Sequence, residues 1–337
     1  MTTWVFHGTL LPDGTEGELA VGDGERSALP GRFALPGLVD AHCHLTVTAD
    51  DDGPFTAGPE LAQQRLAELA QDGVGLVRDV GGERSVTLRL TESDGHPIVR
   101  AAGRFFAPEG RYFPRMHQGV PEAELVGAVE REIDDGARWI KLIADFPDLV
   151  DGAPVPGPHP PTYAEETVAA VVELAHRRGV RVAAHCNTSI ASGLIAVGVD
   201  SIEHGCGLTV DDVDALAARG GAWTPTLGAV LGPDPAARRP RQQEISALLR
   251  ELLPYAVERG VHVLTGSDVV GSVAAEITGL VEHGVPIEAA LRAATSGAQD
   301  YLGVDSRDIV TYDDDPRENP ATLRQPAAVV LRGTRVR

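Results

Sequence analysis

The chain has 337 residues, 43% of them hydrophobic, with three cysteines and a formal net charge of −20 at pH 7. Such a length and apolar content suit one principal folded domain, and the acidic balance opposes contact with phosphate backbones or anionic lipid, which argues against nucleic-acid and membrane partners. Three cysteines without a C-x-x-C spacing exclude a disulfide framework or zinc ribbon, and no apolar run approaches the ~20 residues of a membrane span. With no basic flank before Trp4-Val5-Phe6, the expected location is cytoplasmic.

Residues 1–34 read as short β pieces (Trp4–Thr9, Glu18–Val21, Arg32–Ala34) separated by Asp-Gly and Gly-Asp turns. From Leu38 the pattern changes to an apolar β-rich run followed by a helical run, repeated eight times. The strand-like runs are Leu38–Leu45, Val74–Val80, Pro97–Phe105, Arg138–Ala144, Val180–Asn187, Ser201–Gly205, Ala222–Leu227 and His262–Val269. Helices are expected at Pro59–Asp72, Ser85–Thr91, Pro121–Asp135, Tyr163–Arg178, Ile190–Val197, Val210–Arg219, Arg241–Arg259 and Ala274–His283, several followed by glycine at the C-cap, as at Gly73 and Gly260. A further helix spans Ile287–Tyr301, and β character returns at Asp308–Tyr312 and Ala327–Arg332.

Eightfold alternation of strand and helix is the pattern of a (β/α)8 TIM barrel, expected over 35–303, with 1–34 and 304–337 pairing as a small β-sandwich domain. A doubly wound open sheet is the competing architecture. It lacks its Gly-x-Gly-x-x-Gly after the first strand.

The polar residues near the ends of these strands carry the functional signal. In the run Asp40-Ala41-His42-Cys43-His44, alternation places His42 and His44 on one strand face and Cys43 on the other. Lys141 lies in the fourth strand, His185 and His204 near the ends of the fifth and sixth, and Asp268 in the eighth after Thr265-Gly266-Ser267. Each has an ordinary reading alone: a snorkelling lysine, hydrogen-bonded core histidines, a helix-capping aspartate. All six fall in the C-terminal parts of strands, where barrels of this class build their active sites.

Neutral imidazoles and a carboxylate suit Zn²⁺ and similar divalent ions. A lysine beside two cations is driven to its free amine, which can add carbon dioxide to give a bridging carbamate. Two ions roughly 3.5–4 Å apart share a hydroxide whose pKa falls toward ~7, and Asp268 would orient it, take its proton and pass that proton to the leaving group.

The ordered motifs Leu-Pro-Gly-Leu-Val-Asp-Ala-His-Cys-His, Trp-Ile-Lys-Leu-Ile, Ala-Ala-His-Cys, Asp-Ser-Ile-Glu-His-Gly, Thr-Pro-Thr-Leu and Thr-Gly-Ser-Asp resemble the amidohydrolase superfamily. Within it, they are most similar to the imidazolonepropionase-like and Xaa-Pro dipeptidase (prolidase) group with a carboxylated lysine. The resemblance implies two divalent ions, zinc being the first expectation: one on His42, His44 and Asp268, the other on His185 and His204, bridged by N6-carboxylysine at Lys141. Asp40, on the same face as His42, is either a support for that ligand or a structural turn residue. The chain departs from the pattern at Ala144-Asp145-Phe146-Pro147 after Lys141, and in a shortened return over Gly303–Val310.

Tyr112, Arg115 and His117, after the third strand, are the candidate substrate-binding residues: Tyr112 or His117 to polarise a carbonyl, Arg115 to fork onto a carboxylate. His159 is a weaker one. The expected activity is metal-dependent hydrolysis of an amide or peptide-like C–N bond in a small molecule. Alternatives on the same scaffold are lactone or phosphoester hydrolysis and deamination, although Asn187-Thr188-Ser189 stands where a deaminase would carry a glutamate. A non-catalytic binding barrel is the alternative of another class, and a homo-oligomer is left open.

Overall fold

A computed structural model of the chain describes residues 2–90 and 95–337. It is an α/β, TIM-barrel-like fold built on parallel strands. A three-stranded sheet holds the first to third strands, Leu38–Cys43, Val74–Asp79 and Ile98–Ala101. A six-stranded sheet runs from Phe105–Phe106 through Trp139–Ile143 (fourth), Arg181–Cys186 (fifth), Ser201–His204 (sixth) and Ala222–Thr224 (seventh) to His262–Val263, where the eighth begins. Backbone hydrogen bonds link the two sheets on both sides: Arg138 N donates to Ala101 O at 2.8 Å, Ala41 N to Thr265 O at 2.8 Å, and Asp268 N to His42 O at 2.7 Å.

Strands covered on both faces must be apolar almost throughout, and the first two strands are buried at every position. Alternation in the fourth strand sorts its side chains: Ile140 and Leu142 pack outward with Val129 and Val171 of the surrounding helices. Trp139 faces inward with Val39, Ala41, Leu76, Ala183, Ala222 and Leu264 in a separate cluster at the strands' N-terminal ends. Helix Ser296–Leu302 closes that floor with Ala298 and Tyr301.

Differences from the expected elements have local causes. The third expected strand, Pro97–Phe105, divides at Gly103, whose φ is +79°, because the buried carboxylate of Glu132 accepts the Arg104 N–H at 3.0 Å. The expected seventh strand ends at Thr224, before Pro225 and a left-handed Thr226, and a short helix Leu227–Leu231 follows. Ile287–Tyr301 is two helices, Ile287–Ala293 and Ser296–Leu302: the Ala294 carbonyl turns to accept Val39 N at 2.8 Å instead of continuing the helix. The Ser85–Thr91 helix is observed as Arg84–Thr87, and Thr91 lies outside the described residues.

The terminal segments meet in one seven-stranded sheet, in which Phe33–Pro36 lies between Thr2–Leu10 and Ile309–Tyr312 and Glu25–Ala28 is an unanticipated strand. Phe6, Ala34, Ile309 and Val330 bury its face. No helix among the described residues is long and apolar enough to cross a membrane.

Candidate metal centre and active-site cavity

The first strand delivers two buried imidazoles to the cavity at the C-terminal ends of the strands. His42 places Nδ1 2.6 Å from the Glu203 carboxylate, and His44 places Nδ1 2.8 Å from the Gly81 carbonyl. A carbonyl only accepts, so His44 Nδ1 carries the proton and its Nε2 lone pair faces the cavity, 3.5 Å from Asp268. With Glu203 as a carboxylate the same holds for His42. Gly266 permits the approach of the eighth strand: a Cβ there would lie 2.5 Å from that of His42.

The sixth and eighth strands bring His204 and Asp268 to the cavity by breaking regular geometry. His204 and Asp268 have φ of +67° and +55°, and Thr226, whose hydroxyl lies 2.6 Å from His204 Nδ1, has +46°. A left-handed conformation costs a β-branched threonine on the order of 1–3 kcal/mol, so the surrounding structure must enforce it. Glu276 does part of this, accepting Leu227 N and Gly228 N at 2.9 and 2.8 Å from a buried position. Asp40 does the equivalent for Asp268, accepting from the backbone of Ser267 at 3.0 Å and from its hydroxyl.

Four imidazoles form a contiguous series, with ring centroids 5.2 Å apart for His44–His42, 5.1 Å for His42–His204 and 4.6 Å for His204–His185. Lys141 lines the same cavity; its Nζ is buried without a hydrogen-bond partner, and burial lowers its pKa to about 8. Burial and then the Lys141 charge hold His42 well below the ordinary histidine range, and His185 falls to about 3 for the same reasons. These rings are therefore neutral near pH 7, the protonation state that binds a cation. Ligand atoms of His42, His204 and Asp268 lie within 4.8 Å of one another. Neutral imidazoles oriented by acceptors, a carboxylate and an orphaned amine fit divalent metal ions.

All six expected ligands line this one cavity, of about 1240 Å³, and Tyr112 lines it too, as does His159. Burial and the Asp268 charge push the Tyr112 phenol up, keeping it protonated. Arg115 and His117 are not among the lining residues. The Arg115 guanidinium is already forked onto Asp50 at 2.6 and 2.8 Å and lies over Phe55, while the His117 ring nitrogens sit 3.0 and 3.3 Å from the Phe113 and Pro108 carbonyls. Neither is placed to meet a substrate.

Glu203 and Arg78 are the functional residues that the sequence reading missed. Both are fully buried; Glu203 joins His42 to Arg78 Nη2 at 2.8 Å, and Arg78 stacks 4.5 Å from the Trp139 ring centroid. Strand alternation puts Glu203 and His204 on opposite faces. Only the left-handed turn at His204 lets both serve one site, although the juxtaposed acid in Ile-Glu-His was a visible signal.

The amidohydrolase family model matches residues 33–307. The chain belongs to the amidohydrolase family. An uncharacterized protein of Mycobacterium tuberculosis (strain ATCC 25618 / H37Rv) is 34% identical over a 354-residue alignment covering 96% of this chain and 93% of that protein. The imidazolonepropionase of Micrococcus luteus is 24% identical, covering 91% and 83% of the two chains. Among solved structures, this amidohydrolase superposes on a Xaa-Pro dipeptidase with bound methionine in its active site, with a TM-score of 0.80 at 22% identity over 99% of both chains.

Proposed function

We propose that this amidohydrolase is a metal-dependent hydrolase that cleaves an amide or peptide-like C–N bond of a small-molecule substrate. The observation that carries this reading is the convergence of four neutral imidazoles, the Asp268 carboxylate and the unpartnered Lys141 amine on one cavity. His42, His44 and Asp268 would hold one divalent ion, His185 and His204 a second, and Lys141 as its carbamate would bridge them, with zinc the expected metal. When bound, such ions lower the pKa of a water toward ~7 and polarise the scissile carbonyl.

The chain's own residues supply the rest. Asp268, fixed in its left-handed conformation by the Ser267–Asp40 contacts, accepts the attacking water's proton and returns it to the leaving amine. Tyr112, held protonated, is a hydrogen-bond donor for the substrate oxygen. Glu203 holds the His42 ring. Similarity to an imidazolonepropionase and to a Xaa-Pro dipeptidase supports C–N chemistry over lactone or phosphoester hydrolysis. The reading includes a closed (β/α)8 barrel over 35–303, supported by the bonds joining the first strand to Thr265 and Asp268, and a small β-sandwich domain from 1–34 and 304–337.

Loading with Zn²⁺ and bicarbonate is expected to give about two ions per chain and a carbamate at Lys141, read by elemental analysis and a ¹³C-bicarbonate NMR signal. One ion or none, with no carbamate signal, sinks the binuclear reading. Turnover of lactones or phosphoesters with no amide cleaved would replace the proposed reaction. Full metal occupancy without turnover of any class would favour a binding barrel.

A further inference from the structure

The cavity is larger than its expected small substrate requires. At about 1240 Å³ it exceeds the roughly 300–1,000 Å³ of common small-ligand sites, and a dipeptide would leave much of it to water. Its two walls differ in chemistry. By the third and fourth strands, Tyr112, Phe113 and Phe146 meet edge to face with centroids 4.9–5.2 Å apart. This box abuts the imidazole series at one end, where Phe146 lies 6.1 Å from His185. Tyr112 and Phe146 are largely buried, and the surface they leave on the cavity with Phe113, Val47 and Met116 is apolar, which favours an aromatic or long alkyl group.

The seventh strand lies across the sheet from the fourth, with the fifth and sixth between them. The segment that follows it brings Arg239 and Arg241 to the cavity. Arg241 makes a 3.8 Å contact with Glu244 and Arg239 donates Nε to Gln242 at 3.2 Å. Neither contact forks across the guanidinium as Asp50 does for Arg115, so both retain donors for a ligand. Among the described lining residues, Asp268 is the sole carboxylate, and it belongs to the imidazole cluster. A cationic group at the arginine wall would meet two guanidiniums with only the exposed Glu244 beside Arg241 to offset them; an anionic one would meet two opposite charges. In a chain of net charge −20, that local reversal of sign selects for an acid.

We infer that the substrate is an elongated amphipathic amide, larger than a dipeptide. An arylalkyl or long acyl arm packs against the apolar wall of Tyr112, Phe113 and Phe146, the amide crosses the imidazole cluster, and a carboxylate meets Arg239 and Arg241. The inference rests on the hydrolase reading of the site.

The test is calorimetric titration of the full-length zinc-loaded protein, with a parallel product assay, using the extended acid N-(phenyldodecanoyl)glycine, its neutral counterpart N-(phenyldodecanoyl)propylamine and the short N-acetylglycine. The long acid is expected to bind at least about tenfold more tightly than either of the others. The Arg239→Ala/Arg241→Ala double variant, exposed and therefore safe for folding, should cut the acid-to-neutral preference to about threefold or less. Phe146→Ala should narrow the gap between the long and short acids. Equal binding of all three compounds, or acid preference unchanged in the double variant, overturns the inference. Discrimination without product would sink the hydrolase reading and leave the ligand class standing; product formed without discrimination would do the reverse.

Discussion

The floor and the rim of the parallel strands are made by the same segments, yet they obey opposite rules. At the floor, Val39, Leu76, Ala183, Ala222 and Leu264 pack around Trp139 in an apolar layer. Two to five residues further along, the first, fifth and eighth strands carry His42, His44, His185 and Asp268, and the sixth adds His204: polar groups that are buried or nearly so, with left-handed backbone at two of them. The difference teaches where stability and chemistry are kept: the floor stabilises by burial of apolar area, and the rim uses that stability to hold neutral rings and a strained carboxylate in place.

The widest separation between the two regions is expected from Glu203→Gln. Losing the carboxylate that orients His42 should weaken Zn²⁺ binding about 10–100-fold, read by competition with a chromophoric chelator. It also leaves Arg78 buried without its counter-charge, so the protein should lose stability. Adding Arg78→Met should restore the melting temperature without restoring zinc affinity; recovery of both would mean that Glu203 acts only through folding.

Leu264→Ala, at the floor, tests the converse. It should cost about 2–5 kcal/mol in denaturant unfolding while zinc affinity stays within about twofold. A large loss of metal would show that floor and rim are one cooperative unit.

Glu276, behind the rim at Leu227 and Gly228, adds a pH dependence. Burial raises its pKa to about 8 from 4.5, so the folded state favours the protonated acid. Its stabilising contribution is full below about pH 4.5 and is lost as pH rises through about 8. The melting temperature of wild type should therefore fall relative to Glu276→Gln between about pH 5 and pH 9, and a constant gap would refute the assignment. The smallest effect belongs to Arg115→Ala, outside both regions: loss of its solvent-screened fork with Asp50 should leave the melting temperature nearly unchanged and KM unchanged. A large rise in KM would return Arg115 to the substrate site.

Much of this was legible along the chain. Helix ends were marked by glycine, and Gly73, Gly136, Gly179, Gly220, Gly260 and Gly284 all take positive φ. The H-x-H pair was readable because alternation alone puts His42 and His44 on one face. The engagement of Arg115 by Asp50 was not legible because sequence offers its charge but not its partner, and Asp50 sits 65 residues away. Glu203 was passed over because alternation, the rule that found His42 and His44, places it opposite His204.

The sequence by itself determined the order of elements, the family and the six polar positions near the strand ends, because periodicity and local spacing are properties of neighbours in the chain. Tertiary structure alone decided that Glu203 of the sixth strand would grip His42 of the first, that Lys141 would be buried without a hydrogen-bond partner, and that an aromatic wall would face two arginines. Those relations join residues about 90 to 160 positions apart, and burial sets their energies, which no local pattern encodes.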